Sequence, residues 1–331
     1  MKRKMSTVLA GVLAISMLAG MTAHAADHKI GIVVFQEDMF MQMFTAGAVA
    51  AAEDYGWDHN EANYGSDPAE FTTLMKTYMD QGYEALALQC DVPEVAYQLL
   101  ADAAAGGMKI VWPDVVQEEN PLEIGKDLVS VLYTAQASLG YDSGTIAAQY
   151  IKEKGIEEVN VGIVEFADQG MWASKQRSDN FLKGLEDAGI EYTVVSDQDA
   201  HMQDTALTTC TDMLNANPEI NIIYGANDGA TVGCTMAVKN LGLTDSVAVF
   251  GCDATEQILT LLLDDEYSLY GTSGQDAYGM GYAQATITMD AALGNENEDI
   301  GKEISYASIP CSRYDTEFVE EYLETLKGYM K

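Results

Sequence analysis

Residues 29–35 read KIGIVVF, and residues 159–166 read VNVGIVEF. Both stretches are short and rich in β-branched residues, with one charged residue each, which is typical of strands buried on both faces of a parallel sheet. Longer segments with apolar residues at helical spacing lie between such stretches, as at Phe71, Met75 and Tyr78. Strands that alternate with helices in this way predict parallel βα units.

The alternation continues along the chain in two series that break near residues 133–138. About ten or eleven strands are predicted, which is more than one sheet holds comfortably. The predicted fold class is therefore α/β, with two Rossmann-like three-layer lobes, each built on a parallel sheet. In such sheets, ligands lie beyond the carboxyl ends of the strands.

Local signals mark several helix ends. Asp67 and Pro68 are expected to begin a helix, because Asp is a good N-cap and Pro suits the first turn. We interpret Asp228 and Thr255 as helix caps rather than as residues that contact a ligand. Gly155 is expected to end a helix.

The charge balance limits the classes of partner. The chain has 52 acidic and 17 basic residues, a formal net charge of −35. Such a surface repels phosphate backbones and anionic lipid headgroups, so nucleic acid is excluded as a partner.

The N-terminus has the layout of a cleaved export signal. Lys2, Arg3 and Lys4 precede an apolar run at 8–21, and Ala23-His24-Ala25 follows as a small-x-small cleavage pattern. We expect residues 1–26 to be a signal peptide and the mature protein to be periplasmic or extracellular. Met21 stands where a lipoprotein signal needs Cys, which argues against a lipid anchor.

The sequence contains no recognisable signature of an enzyme or a metal site. The five cysteines are an odd number at wide spacing without CxxC, which favours buried free thiols. No GxGxxG follows the first strand, and GxxxxGK[ST], HExxH and GxSxG are absent. We therefore expect no cofactor, no metal and no catalysis.

Polar side chains stand just past several predicted strands. They are Asp38, Asp114, Asn227, Asp253 and Gln275, with Arg177 inside the helix that follows the strand at 159–166 and the aromatic residues Phe40, Trp112 and Trp172 nearby. Carboxylates, amides and a guanidinium can bind several hydroxyls at once, and aromatic faces can cover the apolar face of a sugar. This set predicts a site for a polyhydroxyl ligand.

Several local patterns recur in an order that resembles a known family. They are the polar-polar-x-Phe pattern at 37–40, KIVWPD at 109–114, YGAND at 224–228, VFGCD at 249–253 and GTSGQDAYGMG at 271–281. Over residues 29–325 the chain resembles the type I periplasmic sugar-binding proteins, near the ribose-binding proteins, which are solute receptors of ABC transporters. The resemblance implies a monomer whose lobes, joined by a three-strand hinge, close on a monosaccharide or polyol. Its membrane partner would be an ABC transporter permease.

The resemblance also implies roles for particular residues. Asp38, Phe40, Asp114, Arg177, Asn227, Asp253 and Gln275 match sugar-holding positions, Met41 replaces a stacking aromatic, and His201 falls where a residue closes the pocket. Val115 replaces a usual Arg and Ala135-Gln136 a usual Asp-Asn, which implies a ligand other than ribose. The implied lobes are 27–134 plus 276–308 and 135–275 plus 309–331.

Two other functions fit parts of the sequence. A receptor that feeds a sensor kinase or chemoreceptor would have the same binding chemistry. An exported sugar hydrolase could use Asp114 and Asp253 as its carboxylate pair, since glycosidases need two carboxyl groups across the scissile bond.

Overall fold

The computed structural model of the protein describes residues 28–113 and 121–329. The signal peptide predicted at 1–26, the candidate ligand residue Asp114 and its neighbour Val115 lie outside the described residues. None of the helices within the described residues combines the length and apolarity that a membrane span requires.

The first lobe is built on a six-stranded parallel sheet. Its strands are β1 (Lys29–Val34), β2 (Asp58–Asn63), β3 (Ala85–Leu88), β4 (Lys109–Pro113), β5 (Ser130–Thr134) and β11 (Glu303–Tyr306). They lie in the order β11-β5-β4-β3-β1-β2. The helices that pack with this lobe are α1 (Met39–Tyr55), α2 (Pro68–Asp80), α3 (Pro93–Ala105) and α9 (Ala277–Leu293).

The second lobe repeats the plan. Its strands are β6 (Asn160–Glu165), β7 (Thr193–Asp199), β8 (Ile222–Gly225), β9 (Ala248–Cys252), β10 (Leu269–Gly274) and β12 (Ile309–Ser312), in the order β12-β10-β9-β8-β6-β7. Only β12 runs antiparallel, against β10, among the described strands. The helices of this lobe are α4 (Gln136–Lys154), α5 (Ala167–Asp187), α6 (Gln203–Ala216), α7 (Asp228–Asn240), α8 (Glu256–Leu263) and α10 (Thr316–Tyr329).

The chain passes between the two sheets three times. The crossings follow β5, β10 and β11, so that α4, α9 and β12 each begin in the other lobe. The prediction of an α/β fold with two lobes on parallel sheets is therefore confirmed. Asp67 and Thr255 cap α2 and α8 as predicted, and the five cysteines are buried and free.

Two strands differ from the sequence-based expectation. β2 was not predicted, because it is a sheet edge that pairs only with β1 and its sequence DHNEAN is almost wholly exposed or half-buried. The sequence pattern predicts one strand at residues 305–309. The structure has two strands around this stretch: β11, which is parallel to β5, and β12, which is antiparallel to β10. The sequence of this stretch contains no signal that the chain leaves one sheet and joins the other between these two strands.

Glycines allow two helix pairs to pack closely, and one pair carries a candidate site residue. A Cβ on Gly140 of α4 would overlap the backbone carbonyl oxygen of Arg177 on α5. In the first lobe, a Cβ on Gly47 of α1 would overlap the backbone of Tyr278 on α9. The absence of a side chain at Gly140 therefore sets how closely the backbone of Arg177 lies to α4.

Candidate functional site

Asp253 lies at the centre of a polar cluster at the carboxyl ends of the second-lobe strands. It follows β9 and is 4% exposed. Its Oδ1 accepts a hydrogen bond from Gln275 Nε2 at 2.9 Å, and its Oδ2 accepts one from the backbone N–H of Asp228 at 3.1 Å. Arg177 Nη1 lies 3.6 Å from the same Oδ2. Three of the predicted ligand residues, Arg177, Asp253 and Gln275, are thus brought together.

The backbone of Asp253 adopts a conformation that few non-glycine residues adopt. Its φ is +71°, in the left-handed region, where Asp and Asn are the better tolerated side chains. The surrounding structure fixes this conformation: the backbone N–H donates to Ser273 O at 2.8 Å, and the carbonyl accepts from Thr272 Oγ1 at 2.5 Å. Strain of this kind costs roughly 1–3 kcal/mol and is concentrated at functional sites.

Arg177 is a buried cation with part of its hydrogen-bonding capacity unused. Its side chain is 4% exposed, Nε donates to Gln136 Oε1 at 2.8 Å and Nη1 donates to Ala226 O at 2.9 Å. The guanidinium also lies over the Phe166 ring, 4.8 Å from its centroid. Nη2 donates no hydrogen bond within the described residues. This nitrogen has two N–H groups available for a ligand.

Asp38 is the first-lobe member of the cluster. It caps α1, since its Oδ1 accepts from the backbone N–H of Met41 at 2.7 Å, and its other oxygen contacts the amide of Gln36. Burial raises the pKa of Asp38 above its ordinary value, and the nearby charge of Asp253 raises it further. Asp38 therefore lies within electrostatic reach of a carboxylate of the opposite lobe.

A cavity of about 220 Å³ lies between the lobes, and we call it the inter-lobe cavity. Its lining residues are Glu37, Asp38, Met39 and Gln42 from the first lobe, and His201, Met202, Gln203, Asp228, Gly229, Val232, Thr255 and Gln257 from the second. His201, predicted to close the pocket, is in this wall, and its Nδ1 lies 2.7 Å from Asp168 Oδ2. Both lobes therefore enclose one polar space.

Asn227, rather than Asp228, caps α7, and contact of Asn227 with a ligand stays a prediction. Asn227 is the N-cap of α7: its Oδ1 accepts from the backbone N–H of Ala230 at 2.9 Å, and its Nδ2 donates to His201 O at 3.0 Å. The prediction that Asp228 caps this helix is wrong, because Asn227 precedes it and already accepts the free N–H. Asp228 instead lines the inter-lobe cavity, where burial and the charges of Asp38 and Asp253 raise its pKa well above the ordinary value.

Among the candidates within the described residues, Asp38 and His201 line the inter-lobe cavity. Four others, Arg177, Asn227, Asp253 and Gln275, belong to the adjoining hydrogen-bonded cluster, and the remaining four lie elsewhere. Phe40 and Met41 are buried in the first-lobe core, and Met41 lines a groove of about 620 Å³ beside β2. Trp112 is 2% exposed and packs at 5.4 Å from the ring of Tyr97. Trp172 is half-buried against the second-lobe core. Contact of these four with a ligand stays a prediction, as does contact by Asp114.

Gln89 is a candidate that the sequence analysis missed. It follows β3, and its backbone N–H donates to Val33 O of β1, so it lies at the same edge of the sheet as the loop that carries Asp38. The residue is fully buried, and neither amide atom has a hydrogen-bond partner within the described residues. Buried polar groups are nearly always paired, so the partner of these two atoms lies outside the described residues. Its position just past a strand was the available signal.

The described residues contain no group of three or more His, Cys, Asp or Glu side chains arranged to hold a metal ion. The cluster instead offers acceptors on Asp38, Asp228 and Asp253 and donors on Arg177 and Gln275. Such a set can hydrogen-bond a ligand that both donates and accepts at several positions.

Comparison with known proteins relates the chain to periplasmic binding proteins. The profile of the periplasmic binding protein domain matches residues 30–296. The ABC transporter periplasmic-binding protein YphF of Escherichia coli K12 is 22% identical over 265 residues, which cover 78% of this chain and 79% of that protein.

Two solved structures share the fold. An ABC transporter periplasmic solute-binding protein of Actinobacillus succinogenes with bound D-allose has a TM-score of 0.77 at 19% identity, covering 89% of this chain and 100% of that one. An ABC transporter solute-binding protein of Bacillus halodurans with bound myo-inositol has a TM-score of 0.75 at 19% identity, covering 92% and 99%.

Proposed function

The chain belongs to the periplasmic binding protein domain family, and on that premise we propose that it captures a monosaccharide or related polyol and delivers it to an ABC importer. The observation that carries the proposal is that Asp38 and Asp228 line one cavity from opposite lobes, with Asp253 and Arg177 in contact next to Asp228. A ligand between them would contact both lobes at once.

Capture follows from hinge closure. The lobes move as units, 27–134 plus 276–308 against 135–275 plus 309–331, about the three crossings. A ligand that binds both faces favours the closed form, because only there does it make all its contacts. The ABC permease then receives the closed complex. The relatives that bind D-allose and myo-inositol support a ring-shaped polyol as the ligand.

Each polar group has a part in holding the ligand. Arg177 Nη2 donates to ligand oxygens, while the carboxylates of Asp38 and Asp253 accept from hydroxyl groups. The amide of Gln89 donates a hydrogen bond to the ligand and accepts another, so that both of its unpaired atoms gain a partner. Bonds that involve an ionised partner are about twice as strong as neutral ones, so Arg177 and Asp253 contribute most.

Export precedes this function. We propose that residues 1–26 direct the chain across the membrane and are then cleaved. Mass spectrometry of the protein secreted by a bacterial host tests this directly: a mature chain that begins at or next to residue 27 supports export, and an intact Met1 contradicts it.

A thermal-shift panel of pentoses, hexoses and polyols tests the binding function. A ligand at 100 times its Kd stabilises the folded protein by about 2.7 kcal/mol, which a melting curve resolves. We expect at least one member to raise the melting temperature, and Asp253→Asn to remove the rise. Asn keeps the left-handed backbone conformation, and the melting curve of the variant without ligand shows whether it is folded. A panel in which nothing binds would contradict the proposal.

A further inference from the structure

Three carboxylates and one guanidinium meet between the lobes, so the charges do not balance. Arg177 is 3.6 Å from Asp253 and offsets that charge. Asp38 and Asp228 remain, one from each lobe, and both line the inter-lobe cavity. Of the twelve described residues that line this cavity, three are acidic, namely Glu37, Asp38 and Asp228, and none is Lys or Arg.

The hydrogen bonds of these two carboxylates leave acceptor capacity for a ligand. Asp228 Oδ1 accepts from the backbone N–H of Gly229 at 2.7 Å, and its Oδ2 accepts no hydrogen bond within the described residues. His201, the one cavity-lining side chain that can become cationic, is held by Asp168 at 2.7 Å. Gln89, whose buried amide has no partner within the described residues, lies on the same sheet edge as Asp38 but outside the lining of this cavity.

We propose that the ligand carries an ammonium group, as in an amino sugar or an aminocyclitol, and that this group lies between Asp38 and Asp228. The inference rests on the proposed function and narrows its ligand class. An ammonium donates three hydrogen bonds and also offsets a negative charge, whereas the hydroxyls of a neutral polyol can only donate and accept. Because the two carboxylates belong to different lobes, the cation draws the lobes together.

The effect of pH follows from the groups around the cavity. Burial raises the pKa of both Asp38 and Asp228, repulsion by Asp253 raises both further, and repulsion by Asp38 adds to the shift of Asp228. Glu37, Arg177 and the His201–Asp168 pair are the other charged or titratable groups nearby. A cationic ligand binds the ionised carboxylates. Its affinity therefore rises as the pH increases through their raised pKa values, until the amine itself loses its proton.

The test compares molecules of matched shape and different charge. Titration calorimetry at pH 7 measures D-glucosamine, N-acetyl-D-glucosamine and D-glucose, the matching galactose set, and 1-amino-1-deoxy-D-glucitol with D-glucitol. We expect at least one free amine to bind about tenfold or more tightly than its uncharged analogues. The preference should disappear in Asp228→Asn, which keeps the shape of the side chain.

Asp187→Asn is the matched control, since it removes the same charge from an exposed site at the end of α5. It should keep the preference. If a neutral member of each set binds at least as well as the amine, the inference is overturned and the proposed function stands. If no member of any set binds, the proposed function fails and the inference falls with it.

A second measurement needs no ligand. Asp228→Asn removes one of two facing carboxylates, so its melting temperature at pH 7 should exceed that of the unaltered protein, while Asp187→Asn shows no such gain. Asn at 228 still accepts the Gly229 N–H, so a loss of folding is not expected. An unchanged or lower melting temperature in Asp228→Asn would contradict uncompensated charge in the cavity.

Discussion

The two sides of the cleft are built differently. On the second lobe, Arg177, Gln136, Asp253 and Gln275 hold one another through hydrogen bonds of 2.8–2.9 Å and an ion pair. On the first lobe, Gln89 has no partner within the described residues for either amide atom. A network whose members hold one another in place without ligand is pre-organised, whereas groups without partners are completed only on binding. The second lobe therefore provides a fixed platform, and the first lobe gains most from the ligand.

Removal of Arg177 should damage the platform most. Arg177→Met leaves Asp253 buried without a cation, and breaking a buried ion pair in this way costs about 3–5 kcal/mol. Urea unfolding should show that loss. The double variant Arg177→Met with Asp253→Asn should recover part of it, because the stranded charge is gone. An Arg177→Met protein as stable as the original would refute the pre-organised platform.

The close packing that positions Arg177 gives a smaller effect. Gly140→Ala places a methyl group against the backbone of Arg177, and overpacking of this kind costs about 1–3 kcal/mol. Gly328→Ala, in α10, is the control: its Cβ meets nothing within 4 Å, so the better helix propensity of Ala should stabilise slightly. Chemical denaturation distinguishes the two. Equal stability changes would mean that the α4–α5 contact does not constrain Arg177.

A substitution in the first lobe should raise the free energy of unfolding of the ligand-free protein, whereas the substitutions in the second lobe lower it. Gln89→Leu removes a buried amide that lacks partners, and an unsatisfied buried polar group costs about 1–3 kcal/mol. The ligand-free variant should therefore unfold at a higher urea concentration, while its affinity for the panel ligand falls. Destabilisation by Gln89→Leu would show that the protein itself already satisfies this amide.

The smallest expected effect is the change in the stability of the ligand-free protein with pH. The pKa values of Asp38 and Asp228 are raised in the folded state, mainly by burial, so the folded protein holds their protons more tightly than the unfolded chain. Stability from these groups is present below their ordinary pKa and is lost as the pH rises through the raised values. Unfolding of the ligand-free protein between pH 4 and 7 should show this decline, and Asp38→Asn with Asp228→Asn should flatten it. An unaltered slope in the double variant would exclude these groups as its source.

Local sequence patterns predict much of the fold but less of the candidate site. Buried strands and amphipathic helices have periodicities that tertiary contacts reinforce, so α3 and α9 lie where the sequence predicts them. β2 has no such pattern, because an exposed edge strand needs no apolar face. The rule that ligands lie past strand ends located Arg177, Asp253 and Gln275.

The remaining features depend on three-dimensional context. Asp228 was interpreted as a cap because adjacent Asn and Asp are both good N-caps, and only the helix start shows which one is used. The charge imbalance of Asp38, Asp228 and Asp253 arises where two lobes meet, and Asp38 is more than 180 positions from the other two in the sequence. The missing partners of Gln89 likewise become visible only when its neighbours are known.

The most direct test is a crystal structure of the protein with the tightest-binding member of the panel. The account predicts one ligand molecule between the lobes, within hydrogen-bond distance of Arg177 and Asp253 on one side and of Asp38 and Gln89 on the other. A ligand that contacts one lobe only, or that lies in the groove beside β2, would contradict it.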